Sequence, residues 1–272
     1  MLNKKLFKIV KGVLIVIFAF FPSFLINAQI SHVFFTGGTS FFIPKMQEKV
    51  FSPSGYYSLG GMLDIGYRYE TNEQLHIIRV LVGAGPLIVM DSSILQKGYV
   101  ASINLDARSL FQVYRKHSMI IRLGGSLLGS LDALVPFMRS FSWLGEAALG
   151  VAGDIEFEFG RAQKHHINFF INLPLGVLVS RPDLSIYGEE NELKISKQNL
   201  PSYIFGRTQL VSFDTYIRID IGAMYRYRVS RAVSIGFRYD FSYRNVQITR
   251  EIATFLHLVS FNVLVNFPVN RR

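Results

Sequence analysis

The chain has 272 residues and a net charge of +10; half of its residues are hydrophobic and its mean hydropathy is +0.28. It has no cysteine, which excludes a disulfide framework, a thiolate metal site and an acylated lipoprotein cysteine. Its arginines are spread along the chain and not clustered, which argues against a nucleic-acid-binding surface.

The first segment carries Lys4, Lys5, Lys8 and Lys11, with no acidic residue before Glu48. These four charges removed, the remainder is +6. An apolar run from Val13 to Phe21 continues past Pro22 to Ile26 and meets Asn27-Ala28-Gln29. A basic start, a short apolar stretch and a small residue at the cut describe a secretory signal peptide, cleaved after Ala28. The run falls short of the ~20 residues of a spanning helix, and Pro22 interrupts it. The expected division is a signal peptide at 1–28 and a β-barrel at 29–272.

Beyond residue 28 the hydropathy has a period of two. In 57–70, Tyr57, Leu59, Gly61, Leu63, Ile65, Tyr67 and Tyr69 alternate with Ser58, Gly60, Met62, Asp64, Gly66, Arg68 and Glu70. In 143–160, Trp143, Leu149, Val151, Ile155, Phe157 and Phe159 share one face, and Glu146, Asp154, Glu156 and Glu158 share the other. In 213–229, Phe213, Ile217, Ile219, Ile221, Tyr225 and Tyr227 alternate with Asp214, Arg218, Asp220, Arg226 and Arg228. Strand side chains flip at each residue, so one face meets lipid and the other a lumen. A helix would scatter these charges around its circumference. Strands are predicted at 31–43, 56–70, 75–88, 99–114, 118–128, 143–159, 166–180, 213–229, 233–244 and 254–267, about ten in all. The fold class is all-β, an up-and-down antiparallel transmembrane barrel, in which every backbone polar group finds a partner.

The connections alternate in length. Thr71–Gln74, Arg115–His117, Gly160–His165 and Ser230–Ala232 are short. Pro44–Gly55, Val89–Gly98, Gly129–Ser142, Arg181–Ser212 and Asn245–Ala253 are longer. Outer-membrane barrels have short periplasmic turns and longer outside loops, so both termini are expected on the periplasmic side. Tyr67, Tyr69, Phe157, Phe159, Tyr225 and Tyr227 would form an aromatic girdle near the short turns. Tyr57, Trp143 and Phe213 would form one near the opposite end. The long polar connection 181–212 is a candidate for contact with a partner or surface polysaccharide.

A barrel of about ten strands is narrow. Asp154, Glu156, Glu158, Arg218, Asp220, Arg226, Arg228, Arg238 and Asp240 fall on the lumen side, with Asp64, Arg68, Glu70, Asp106, Arg108, Arg122, Glu146 and Arg244. Buried charges need partners, so the expectation is a lumen filled by ion pairs. The same residues are candidate pore or ligand contacts. The acidic run at 154, 156 and 158 also offers divalent-cation chemistry, which nearby Arg226 and Arg228 disfavour. His166 is placed nearly opposite Glu158, as a base would be, but the sequence supplies no nucleophile. Gly37-Gly38 and Gly83-Ala84-Gly85-Pro86 open no helix and carry no phosphate-loop lysine.

The Ala28-Gln29 junction resembles signal peptides common in Bacteroidetes. The last strand, with Phe255, Val259, Phe261, Val263, Val265 and Phe267, resembles the C-terminal strand recognised by barrel-assembly machinery, though Pro268-Val269-Asn270-Arg271-Arg272 follows. As a pattern the chain resembles the small outer-membrane barrels of Bacteroidetes, including those associated with type IX secretion. It has no convincing match to the Asp/His or His/Ser motifs of omptin proteases, lipid-A deacylases or barrel phospholipases. The resemblance implies an integral outer-membrane protein, exported through a cleaved signal, with a structural or interaction role and no enzymatic one. A narrow selective pore and a rim or lumen hydrolase are the alternatives. No cofactor, metal or nucleic acid is expected. The expected partners are outer-membrane lipid, the barrel-assembly machinery and other envelope proteins.

Overall fold

The computed structural model describes residues 32–48, 52–89, 97–136, 142–181, 208–211, 215–248 and 251–267. The expected signal peptide, most of the 181–212 connection, Phe213 and Asp214 lie outside them.

The chain folds as strands β1 (His32–Glu48), β2 (Ser52–Ser58), β3 (Gly60–Glu70), β4 (Gln74–Val89), β5 (Lys97–Lys116), β6 (Met119–Pro136), β7 (Ser142–Phe159), β8 (His165–Ser180), β9 (Thr208–Val211), β10 (Tyr216–Arg228), β11 (Val233–Val246) and β12 (Ile252–Phe267). β2 and β3 both lie between β1 and β4, one above the other. β9 and β10 both pair with β8, in register at its two ends. The twelve segments therefore make ten staves. Each stave pairs antiparallel with its neighbours, and β1 closes the ring against β12 from Val33↔Phe267 to Glu48↔Ile252. The result is a closed antiparallel ten-stranded β-barrel. No helix among the described residues is long and apolar enough to cross a membrane.

Alternation sets the two surfaces. The rows Leu63-Ile65, Val151-Ile155-Phe157, Ile217-Ile219-Ile221 and Val259-Phe261-Val263 are exposed, while their neighbours Met62, Asp64, Asp154, Glu156, Asp220, Leu258 and Ser260 are buried. On β3, β7, β10, β11 and β12 the outward rows hold no Asp, Glu, Lys or Arg. A globular protein in water would bury these apolar rows and expose the charges; a barrel in lipid reverses the arrangement.

The short turns all fall at the end of the barrel where β1 begins and β12 ends. The first is closed by Thr71, whose Oγ1 accepts from the backbone N–H of Glu73 at 3.2 Å and of Gln74 at 2.9 Å. The Ser230 hydroxyl does the same for Ala232 and Val233 at 3.2 and 3.0 Å. The turn after β7 needs a left-handed residue, Gly160 at φ 82°, followed by the 3-10 turn Arg161–Gln163. A side chain at Gly160 would also strike the His165 ring.

Several stretches differ from the sequence expectation: β1 and β2 occupy 44–48 and 52–55 of the connection expected at 44–55, and β9 lies within the one expected at 181–212. β6 runs on to Pro136, so the first part of the connection expected at 129–142 is strand: Ala133, Leu134 and Pro136 pair with Ala101, Val100 and Gly98. β8 also carries an irregularity opposite Leu149 and Gly150, which are paired with Gly176 and Pro174. That extra residue inverts parity in the last part of β8, turning Val177 and Val179 inward.

Candidate functional site

The barrel interior is built by the inward rows, and ion pairs cross it in three groups. In the group nearest the short turns, Glu156 of β7 is the hub. Its Oε2 accepts from Arg122 Nη1 at 2.7 Å and Arg68 Nη2 at 3.2 Å, and its Oε1 accepts from Arg226 Nη2 at 3.0 Å. His166 Nδ1 lies 3.1 Å from the same Oε1. Arg122 also reaches Glu70 at 2.7 Å and Asp154 at 3.0 Å, and Asn168 donates to Asp154. Arg68 and Glu156 are four staves apart around the ring, so their contact is a strut across the lumen.

In the second group Arg79 of β4 joins Asp64 at 2.5 Å and, across the barrel, Asp240 of β11 at 2.6 Å. Arg238 holds Asp240 at 2.8 Å and lies 3.8 Å from Asp106, half the ring away. Phe170 of β8 enters this layer, with the Arg108 and Arg238 guanidiniums over its ring at 4.2 and 4.5 Å. Gly222 leaves the space for that ring: a side chain there would strike Phe170 and Asp240.

The third group lies toward the longer connections. Glu146 receives Arg218 at 2.9 Å and Arg244 at 3.2 Å, Arg244 reaches Asp132 at 3.0 Å, and Arg218 pairs with Asp220 at 3.0 Å. Around it sit Leu128, Leu144, Ala148, Val177, Val179, Val211, Tyr216 and Val246, all buried.

Of the lumen residues singled out in the sequence, Asp154, Glu156 and Arg226 come together in the first group. Glu158 stands beside His166, its Oε1 3.7 Å from Nδ1. Arg238 and Asp240 fall in the second group, and Arg218 and Asp220 in the third. Arg228 lies apart at the rim, where its backbone N–H donates to the Lys164 carbonyl at 2.8 Å.

Sequence reasoning missed Arg79, Asp132 and Phe170. Around Arg79 both faces of β4 are apolar, Leu75, Ile77 and Leu81 inside and Ile78, Val80 and Val82 outside, so alternation is silent there. Asp132 was hidden in an expected loop. The parity of Asn168 and Asn172, both buried, was a readable signal that Phe170 points inward.

The carboxylates of Glu156 and Glu158 and the His166 imidazole lie within 4.8 Å of one another, a spacing open to a metal ion. The surroundings argue otherwise. Arg226 Nη2 is 3.0 Å from Glu156 Oε1 and 3.1 Å from His166 Nδ1. A guanidinium thus stands where a bridging cation would stand. Neither His166 nor Glu158 has a serine or threonine hydroxyl as a hydrogen-bond partner among the described residues.

The girdle residues also divide. Near the short turns Phe159 stacks on His165 at 5.3 Å, Tyr225 Oη lies 2.8 Å from His165 Nδ1, and Tyr227 is 5.1 Å from the same ring. Phe157 is exposed beside them, and Tyr67 packs edge-on to Phe35 at 5.6 Å. Tyr69 and Trp143 correct the expectation of an exposed belt. Tyr69 is 6% exposed beside His76, and Trp143 is 2% exposed, with its indole N–H donating to Ser180 Oγ at 3.3 Å. Tyr57 lies in β2 opposite Lys45 and Ile88. An aromatic group not foreseen at the other end comprises Tyr239, Phe241 and His257, with Tyr239 Oη 2.8 Å from His257 Nδ1.

A closed ring of ten antiparallel strands with a lipid-type exterior and a charged interior defines the outer-membrane β-barrel fold. The chain is similar in structure to the outer membrane protease OmpT from Escherichia coli, with a TM-score of 0.59, 7% identity, and coverage of 89% of this chain and 99% of that one. Neisserial surface protein A aligns at a TM-score of 0.34 with 13% identity, covering 86% of this chain and 97% of its own. The attachment invasion locus protein Ail of Yersinia pestis aligns at 0.34 with 12% identity, covering 88% and 100%. No family model matches the chain, and no curated protein matches its sequence.

Proposed function

We propose that this protein is a non-conducting integral barrel of the bacterial outer membrane, whose role is structural or one of interaction and resides at its rims. The observation that carries this reading is the set of ion pairs across the lumen, Arg68–Glu156, Arg79–Asp240 and Arg244–Asp132. They occupy the path a solute would take. They also hold Glu156, Asp240 and Asp132 against guanidiniums, which disfavours these three carboxylates as bases.

The reading includes export behind a leader removed after Ala28, which N-terminal sequencing of the membrane-extracted protein would report as a chain beginning at Gln29. It also includes insertion by the barrel-assembly machinery through β12. The known barrels it is similar to include a protease, a surface protein and an attachment protein, so the shared fold selects no activity. The test is single-channel recording in planar bilayers. The wild type is expected to be silent, and Arg68→Ala with Arg122→Ala to conduct. Discrete steps from the wild type would replace this reading with a selective pore.

A further inference from the structure

Three of the four short turns form a basic arc. The end of β5 brings Arg115 and Lys116, the β7–β8 turn Arg161 and Lys164, and the β10–β11 turn Arg231, all exposed. These turns are neighbours on the ring, because β6 pairs with β7 and β8 with β10. Backbone hydrogen bonds tie them together: Glu158 N–H donates to the Ser118 carbonyl and Arg228 N–H to the Lys164 carbonyl, each at 2.8 Å. Within the middle turn Gln163 N–H donates to the Gly160 carbonyl at 3.1 Å. The five cations therefore stand on short hydrogen-bonded turns or on the strand end beside one.

None of the five has a carboxylate partner among the described residues. The fourth short turn holds Glu73 and adjoins the arc, its carbonyl accepting from Gln112 N–H at 2.7 Å. Five like charges on one side of a rim repel one another, and among the described residues Glu158 and Glu73 are the acids nearest them, fewer than the cations. An external anion would offset the excess.

Their depth says which anion. Beside the arc on the outward face lie Tyr114, Phe157, Phe159, His165, Tyr225 and Tyr227. Aromatic residues collect at the level of lipid headgroups, so the arc sits at the height of their phosphates. Lys116 follows Tyr114 on the outward row, where Tyr114 pairs with Ile121 and Lys116 with Met119. We propose that this arc binds the phosphate headgroups of anionic phospholipids in the leaflet adjoining the short turns. The turns are too short to project far beyond that leaflet, which favours lipid over a soluble acidic partner.

The test uses the refolded protein in nanodiscs of phosphatidylglycerol and phosphatidylcholine with identical acyl chains, with retained lipids identified by native mass spectrometry. A basic residue near an anionic surface is worth about a fivefold change in affinity. The wild type should retain phosphatidylglycerol over phosphatidylcholine by at least about that factor. Lys116→Glu, Arg161→Glu, Lys164→Glu and Arg231→Glu together should abolish the preference, whereas Arg161→Lys with Arg231→Lys should keep it. Should the fourfold variant not fold, as heat-modifiable migration would show, Lys116→Gln with Lys164→Gln replaces it and should lower the preference at least about fivefold. No enrichment, or enrichment untouched by these changes, overturns the proposal. So does capture of soluble polyglutamate in the absence of any phosphatidylglycerol enrichment. Conductance plays no part in this readout, so the closed-lumen reading and the lipid site fail separately.

Discussion

Glu146 and Glu156 lie on the same inward row of β7, toward opposite ends of the barrel, and both are buried. Around Glu156 the neighbours are Arg68, Arg122, Arg226 and His166. Glu146 meets Arg218 and Arg244, but the wall around it is Leu144, Ala148, Val177 and Val179. One end of the lumen is thus closed mainly by directional polar contacts and the other by ion pairs set among packed apolar side chains. A polar closure fails when one partner is removed, because charges are left without their counter-ion. A packed closure fails in proportion to the volume removed.

Glu156→Ala should have the largest effect, a loss of about 3–5 kcal/mol, since it takes one acceptor from three guanidiniums at once. Urea unfolding in lipid vesicles, followed by tryptophan fluorescence, measures it. Adding Arg226→Met should recover part of the loss, because a guanidinium deprived of Glu156 is removed with it. Full additivity of the two changes would erase the distinction between the two ends.

At the packed end Leu144→Ala should cost about 2–5 kcal/mol by leaving a cavity, and a second-site change of charge should not recover it. The outward wall offers a third contrast. Ile221→Arg places a charge in lipid and should cost about 2–4 kcal/mol, whereas Gly222, the next residue, faces the lumen. Equal tolerance of Arg at lipid-facing Ile221 and at lumen-facing Ser242 would contradict the assignment of faces. The smallest effect is expected for Ser180→Ala, about 1 kcal/mol, through loss of the acceptor for the Trp143 indole. A shift of the Trp143 emission maximum should accompany it.

Much of the barrel was legible in the sequence because alternation is a local signal. Charges confined to one parity in β3, β7 and β10 fix which side faces lipid, and the Thr71, Gly160 and Ser230 turns fix where strands reverse. Less was legible where the signal is local but ambiguous. β4 is apolar on both faces, so Arg79 had no contrast to mark it. β8 changes parity near Gly176, so Val177 and Val179 appear on the wrong face if period two is extrapolated. The ion-pair partners are a different matter. Glu156 and Arg68 are set together by ring closure and stave tilt, neither of which is encoded in any one segment. Parity put both in the lumen, but only the closed ring makes them neighbours.

Ring closure by β1 and β12 has a consequence for how the molecule comes into being. The first stave's second neighbour is the tenth stave of the ring, more than 200 residues on, joined over the span from Val33↔Phe267 to Glu48↔Ile252. Until Ile252–Phe267 has been synthesised and delivered, the wall has two unpaired edges. Each is a row of free N–H and C=O groups able to recruit a strand from another chain. Contacts so distant in sequence also form slowly. The barrel is therefore exposed to aggregation in the interval before its ring closes, and a truncation ahead of Ile252 would make that interval permanent.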